Sequence, residues 1–82
     1  MKISKKIGLA LVKGAMEQLA RFKLPMGDYR LENLLVDEER LTATVIFKHV
    51  MSSAEIVVPI NRFDPQTGEI VECGQNRGKL TL

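Results

Sequence analysis

Apart from the common carboxylates, serines and lysines, the side chains here that can act as nucleophile, base or soft metal ligand are one histidine, His49, and one cysteine, Cys73. A thiolate within hydrogen-bond reach of an imidazole is an activated nucleophile. These two fall on different predicted strands with no local motif around either, so they read as a small buried cysteine and a strand-end histidine. One cysteine forms no internal disulfide, and one cysteine with one histidine falls short of a zinc tetrad. Asp37-Glu38-Glu39 offers oxygens to a hard cation but lacks the alternating acids and the glycine of a calcium loop, and it reads as a solvated turn. Gly8 and Gly14 lie inside a helical pattern, with no Gly-Lys-Ser/Thr phosphate loop. Gly74 and Gly78 enclose Gln75-Asn76-Arg77, a polar loop that could grip a phosphate as any surface loop could. The chain is therefore expected to have no catalytic site, no metal site and no cofactor, and not to be an enzyme.

The elements that carry these residues divide at Leu24-Pro25-Met26-Gly27. Before it, at 100° per residue, Ile7, Leu11, Val12, Ala15, Leu19 and Phe22 share one arc, opposite Lys2, Lys6, Lys13, Glu17 and Arg21. This predicts an amphipathic helix over about residues 4–23, with Ser4 as N-cap and Pro25 ending it at Leu24. Gln18 falls inside the apolar arc and needs a hydrogen-bonding partner if buried. Gly8, Ala10, Gly14 and Ala15 leave a low-relief surface that another backbone could approach closely. Lys2, Lys5 and Lys6 crowd the positive end of the helix dipole, at a cost of about 0.3–1 kcal/mol each, so tertiary packing must hold the helix.

After Gly27 the period becomes two. Residues 28–36, 41–50, 54–63 and 69–73 read as strands, joined by Asp37-Glu38-Glu39-Arg40, Met51-Ser52-Ser53 and Asp64-Pro65-Gln66-Thr67-Gly68. Residues 74–82 read as a loop, with Lys79-Leu80-Thr81-Leu82 as a short edge strand or a frayed tail. Links this short exclude helical crossovers, so the prediction is a single α+β domain, α-β-β-β-β. Its N-terminal amphipathic helix packs on one face of a three- to four-stranded antiparallel meander. Pro59 has no N–H for a ladder, which puts it on an edge, at a bulge, or where the strand changes partner.

Apolar residues at 45% exclude a disordered tail. Before the seam six basic side chains face Glu17 alone, net +5. After it six basic face nine acidic, net −3, which together give the overall +2. A pI near 8.9 and four aromatics at core-like positions do not predict nucleic-acid binding. The basic start resembles a secretory leader, but the apolar run Ile7 to Val12 is too short for one and far too short to span a bilayer. A lack of disulfide pairs makes a reducing cytoplasm the expected compartment.

One helix covers one face of a sheet. Alternation assigns Leu41, Val45, Phe47, Ile56, Val58 and Ile60 to the covered face, joined by Tyr29, Leu31 and Leu35. It assigns Leu34, Val36, Ile46, Val50, Val57, Pro59 and Phe63 to the other face, among Arg30, Glu32, Thr42, Thr44, Lys48, Glu55 and Asn61. An apolar face left open marks an interface. The expected function is a non-catalytic binding module that self-associates or binds a protein partner through the open face or an edge, with Leu34, Val36, Ile46, Val50, Val57 and Phe63 as contact residues. The C-terminal segment folding back over that face is the competing arrangement. The alternative function is peripheral binding of anionic lipid or an apolar small molecule through Lys2, Lys5, Lys6, Lys13 and Arg21. Against it stands the ordinary reading that any helix packed on a sheet has a wet, charged side.

Overall fold

The computed structural model describes residues 4–21, 26–74 and 77–79. Helix α1, Lys5–Arg21, is followed by a single 3-10 turn, Met26–Asp28, and by strands β1 (Tyr29–Asp37), β2 (Thr42–His49), β3 (Glu55–Phe63), β4 (Ile70–Cys73) and β5 (Arg77–Lys79). The expected α+β arrangement, one N-terminal helix and an antiparallel open sheet, is what is found. The strands form a meander in the order β1-β2-β3-β4, and β5 pairs with β3. Expectations placed on Lys2, Phe22, Gln75, Asn76 and residues 80–82 lie outside the described residues.

Ser4 caps the helix as its position predicts. Its Oγ accepts a hydrogen bond from the Ile7 N–H at 3.3 Å, and its carbonyl accepts from Gly8 at 3.1 Å. Ile7, Leu11, Ala15 and Leu19, spaced three or four apart, are buried. They meet Ala43, Val45 and Phe47 of β2 and Ile56, Val58 and Ile60 of β3 in one core. Full burial of Leu11 and of Leu19 contributes about 1.5–3 kcal/mol each, and the two together outweigh the lysines opposing the helix dipole. Gln18 is half-buried at a groove beside the helix. Among the described residues no buried side-chain nitrogen or oxygen lacks a partner.

The low-relief side of α1 is used within the chain. Gly68, in the turn between β3 and β4, adopts φ 77°, and a Cβ there would lie 2.7 Å from the Ala10 Cβ and 3.0 Å from the Ile7 carbonyl. Glycine is thus required twice, once by the backbone conformation and once by the helix pressed against it. A Cβ on Gly14 would meet the Ile70 Cδ1 at 2.6 Å, so β4 also docks its side chain into the helix. Around the turn, Asp64 Oδ1 accepts from Gln66 at 2.8 Å, the Asp64 carbonyl accepts from Gly68 at 2.7 Å, and Thr67 Oγ1 accepts from Glu69 at 3.2 Å.

Pro59 marks a change of partner. On the outer edge of β3, Ile60 pairs with Cys73 of β4, whereas Val57 pairs with Arg77 of β5. The Pro59 carbonyl accepts from the Gly74 N–H at 2.8 Å, so its missing N–H lies on that outer edge, where one strand ends before the next begins. Residues 77–79, predicted as loop up to Gly78 with an edge strand or tail beginning only at Lys79, form a strand because this half of the β3 edge has no other partner. Glycine and charge hid it, since Gly78 lies opposite Ile56 and offers no strand signature of its own.

Two irregularities correct the predicted faces. Between Leu31 and Asn33 the register of β1 slips against β2, and between Ile60 and Phe63 the register of β3 slips twice against β4. An extra residue in one strand reverses its alternation from that point. Leu34 therefore lies opposite Val45 and Val36 opposite Ala43, both packed on the core instead of the open face. Phe63 follows two exposed residues, Asn61 and Arg62, and is 1% exposed within the core. In exchange Leu35, assigned to the covered face, lies opposite Thr44 and is about half exposed, while Leu31, before the slip, stays level with Phe47 on the covered side although it is 48% exposed. Val50 lies beyond the end of β2, its N–H bonded to the Asp28 carbonyl at 2.9 Å, so it belongs to the hairpin tip.

Candidate functional site

The face of the sheet opposite α1 is built from the residues that alternate with the core. Leu35, Thr44 and Pro59 form one row of neighbours across β1, β2 and β3, and Asn33, Ile46 and Val57 form the next. Ile46, Val57, Thr44 and Pro59 are half-buried, and Leu35 is 52% exposed. On β4, Val71 is 65% exposed and has no partner in the register, since Ile70 pairs with Phe63 and Glu72 with Arg62. Polar rows close both ends. Arg30, Lys48 and Glu55 lie abreast at one, and Asp37 and Thr42 at the other. An apolar centre inside a polar rim is the composition of a protein contact surface.

β5 runs in the plane of the sheet beside β3, so residues 77–79 extend the sheet and do not roof the face. Of the predicted contact residues, Ile46 and Val57 are together on this face, Val50 is at the tip, and Leu34, Val36 and Phe63 are in the core. Leu35 belongs to the face and was missed. Simple alternation misplaces it because no residue type announces the bulge at Leu31–Asn33.

The edges differ from the face. At the outer edge of β1 the Leu34 N–H is taken by Asn33 Oδ1 at 2.8 Å, next to the bulge and to exposed Arg30 and Glu32. Bulges, charges and satisfied amides are the means by which sheet edges resist pairing with another strand.

His49 and Cys73 are not brought together. Cys73 is level with Ile60, which is level with Ala43, six residues from His49 along β2. At about 3.3 Å per residue that is roughly 20 Å. His49 lies opposite Tyr29, with ring centroids 5.0 Å apart and planes at 80°. Its Nδ1 accepts the Met51 N–H at 3.1 Å, so the ring organises the hairpin tip. The Cys73 thiol donates to the Pro59 carbonyl at 3.4 Å, and burial pushes its pKa above the ordinary value.

The acidic turn also has a local role. Asp37 Oδ1 accepts from the N–H groups of Glu39 and Arg40 at 3.1 and 3.2 Å, and its Oδ2 lies 3.9 Å from the Arg40 Nε. Among the described residues no cluster of histidine, cysteine and carboxylates has the makings of a metal site. A groove of about 380 Å³ beside Gly68 is lined by Lys13, Glu17, Gln18, Arg21, Thr67 and Glu69, a balance of charges that selects no ligand.

Lys5, Lys6, Lys13 and Arg21 are exposed on α1, and Lys2 lies outside the described residues. No helix among the described residues is long and apolar enough to cross a membrane. Comparison with known families, with characterised proteins and with solved structures finds nothing that matches this chain, so any functional reading rests on its own geometry.

Proposed function

We propose that this chain is a non-catalytic binding module whose open sheet face packs against a second copy of itself, or against a protein partner presenting a similar face. The observation that carries the reading is the strip of Leu35, Ile46, Val57 and Pro59, which neither α1 nor β5 covers. Two such faces stack about 10 Å apart as a sandwich, with the side chains of each filling the spaces of the other. The face is preferred to the β1 edge because Asn33, the bulge and the flanking charges already occupy that edge.

Size sets the expected strength. Four strands about 4.8 Å apart and about seven residues at 3.4 Å give a patch of roughly 450 Å² per copy, about 900 Å² for the pair, which is the size class of weak, transient encounters. Weak self-association is expected of that class, so the dimer is sought from about 10 μM to about 1 mM. Sedimentation equilibrium over that concentration range tests it. The wild-type mass should rise toward a dimer, and a Leu35→Lys, Val57→Lys variant should remain a folded monomer. A wild-type chain that stays monomeric throughout and binds no protein through this face would defeat the proposal.

A further inference from the structure

The outward side of α1 carries a second set of features that the fold does not use. Leu9 is 61% exposed and Met16 39% exposed, two turns apart on the side facing away from the sheet. At 100° per residue Lys5, Lys6, Leu9, Lys13, Met16 and Ala20 fall within one arc of about 100°, and all six are exposed. The buried arc of Ile7, Leu11, Ala15 and Leu19 lies across from it. Helix α1 holds four cations, Lys5, Lys6, Lys13 and Arg21, against Glu17, net +3, with no acid in its first turn.

Each feature breaks a rule of local stability. Cations in the first turn oppose the helix dipole, and a leucine mostly in water gains nothing from folding. Such violations concentrate where a surface serves a purpose other than folding, and here they share one face. The sequence's charge division becomes a division in space. A basic helical side backs onto a sheet portion whose residues from Asp28 onward sum to −3.

We infer that this face of α1 adsorbs to an anionic lipid surface, with the helix lying in the interface plane. Lys5, Lys6 and Lys13 meet lipid phosphates and carboxylates, and Leu9 and Met16 enter the boundary between headgroups and acyl chains. The acidic sheet portion then points away from the like-charged bilayer. A polyanion without an apolar layer, such as nucleic acid, would use the lysines but leave Leu9 and Met16 in water, and among the described residues no exposed aromatic side chain offers a base a stacking surface. The inference is independent of the open sheet face, which lies on the opposite side of the molecule.

The test is co-sedimentation of the full chain with vesicles of phosphatidylcholine alone and with about one-third phosphatidylserine, at about 0.05 M and 0.5 M salt. Binding should require phosphatidylserine and low salt. Lys5→Glu with Lys13→Glu should lower partitioning by about tenfold or more. Leu9→Ser should lower it by about tenfold while leaving thermal unfolding and self-association unchanged, since Leu9 is outside the core. No binding to phosphatidylserine vesicles at low salt overturns the inference. It is equally overturned if binding ignores Leu9→Ser, or if duplex DNA binds as well as the vesicles do and with the same lysine dependence.

Discussion

Replacing Gly68 by alanine probes the contact that fixes the helix on the sheet. At φ 77° an L-residue costs about 1–2 kcal/mol. The new Cβ would also sit 2.7 Å from the Ala10 Cβ and 3.0 Å from the Ile7 carbonyl. One of these neighbours is helix backbone and the other a methyl fixed to it, so neither can swing aside. Overpacking of this kind costs about 1–3 kcal/mol. Together the two terms give about 2–5 kcal/mol, and at about 4–8 °C per kcal/mol for a domain of this size, Tm should fall by roughly 8–40 °C. Thermal and urea unfolding followed by far-ultraviolet circular dichroism would measure it. Ala10→Gly alone should cost about 1 kcal/mol of helix propensity. Combined with Gly68→Ala it should recover part of the loss, a coupling of about 0.5–2 kcal/mol, because it removes the closest contact while leaving the Ile7 carbonyl and the backbone strain. Strict additivity of the two changes, or a Gly68→Ala protein as stable as wild type, would refute the packing of turn against helix.

Three further outcomes follow from single contacts. Phe63→Ala should destabilise by about 3–5 kcal/mol in urea unfolding, because the ring is in the core, and Phe63→Glu should unfold the chain where a surface residue would only weaken association. Ser4→Ala should cost about 1 kcal/mol through loss of the acceptor for the Ile7 N–H, measurable in the same assay. The Cys73 thiol has its pKa raised in the folded state, so between the ordinary thiol value of 9.0 and the raised one the folded chain holds a proton that the unfolded chain has lost. Stability should therefore fall as pH rises past 9, and comparison of urea midpoints should show that Cys73→Ala loses this part of the decline.

What the sequence reveals and what it hides divide along physical lines. The helix was legible because its apolar residues recur at i, i+3 and i+4 with a serine before them, all local signals, while the predicted stop at Leu24–Pro25 lies outside the described residues. The β3–β4 turn was legible because Asp64, Pro65 and Gly68 each have a preferred turn position, and Pro59 announced a broken ladder. Facing was legible in β2, where Ala43, Val45 and Phe47 alternate without interruption. It was illegible past Leu31 and past Ile60, because a bulge is a property of the pairing between strands and one inserted residue reverses everything after it. The same cause moved Leu34, Val36 and Phe63 into the core and left Leu35 on the surface. β5 was hidden for another reason, since a three-residue strand is selected by the vacancy beside β3 and not by its own residue types.

The central proposal is that the face bearing Ile46 and Val57 is a contact surface, and methyl NMR across a dilution series from about 1 mM to about 10 μM reads it residue by residue. The methyl resonances of Leu35, Ile46 and Val57 should move together with concentration along one binding curve, while those of Leu11, Leu19 and Val45 stay fixed. Methyl signals from the open face that do not change with concentration, and do not respond to any protein partner, would contradict the account.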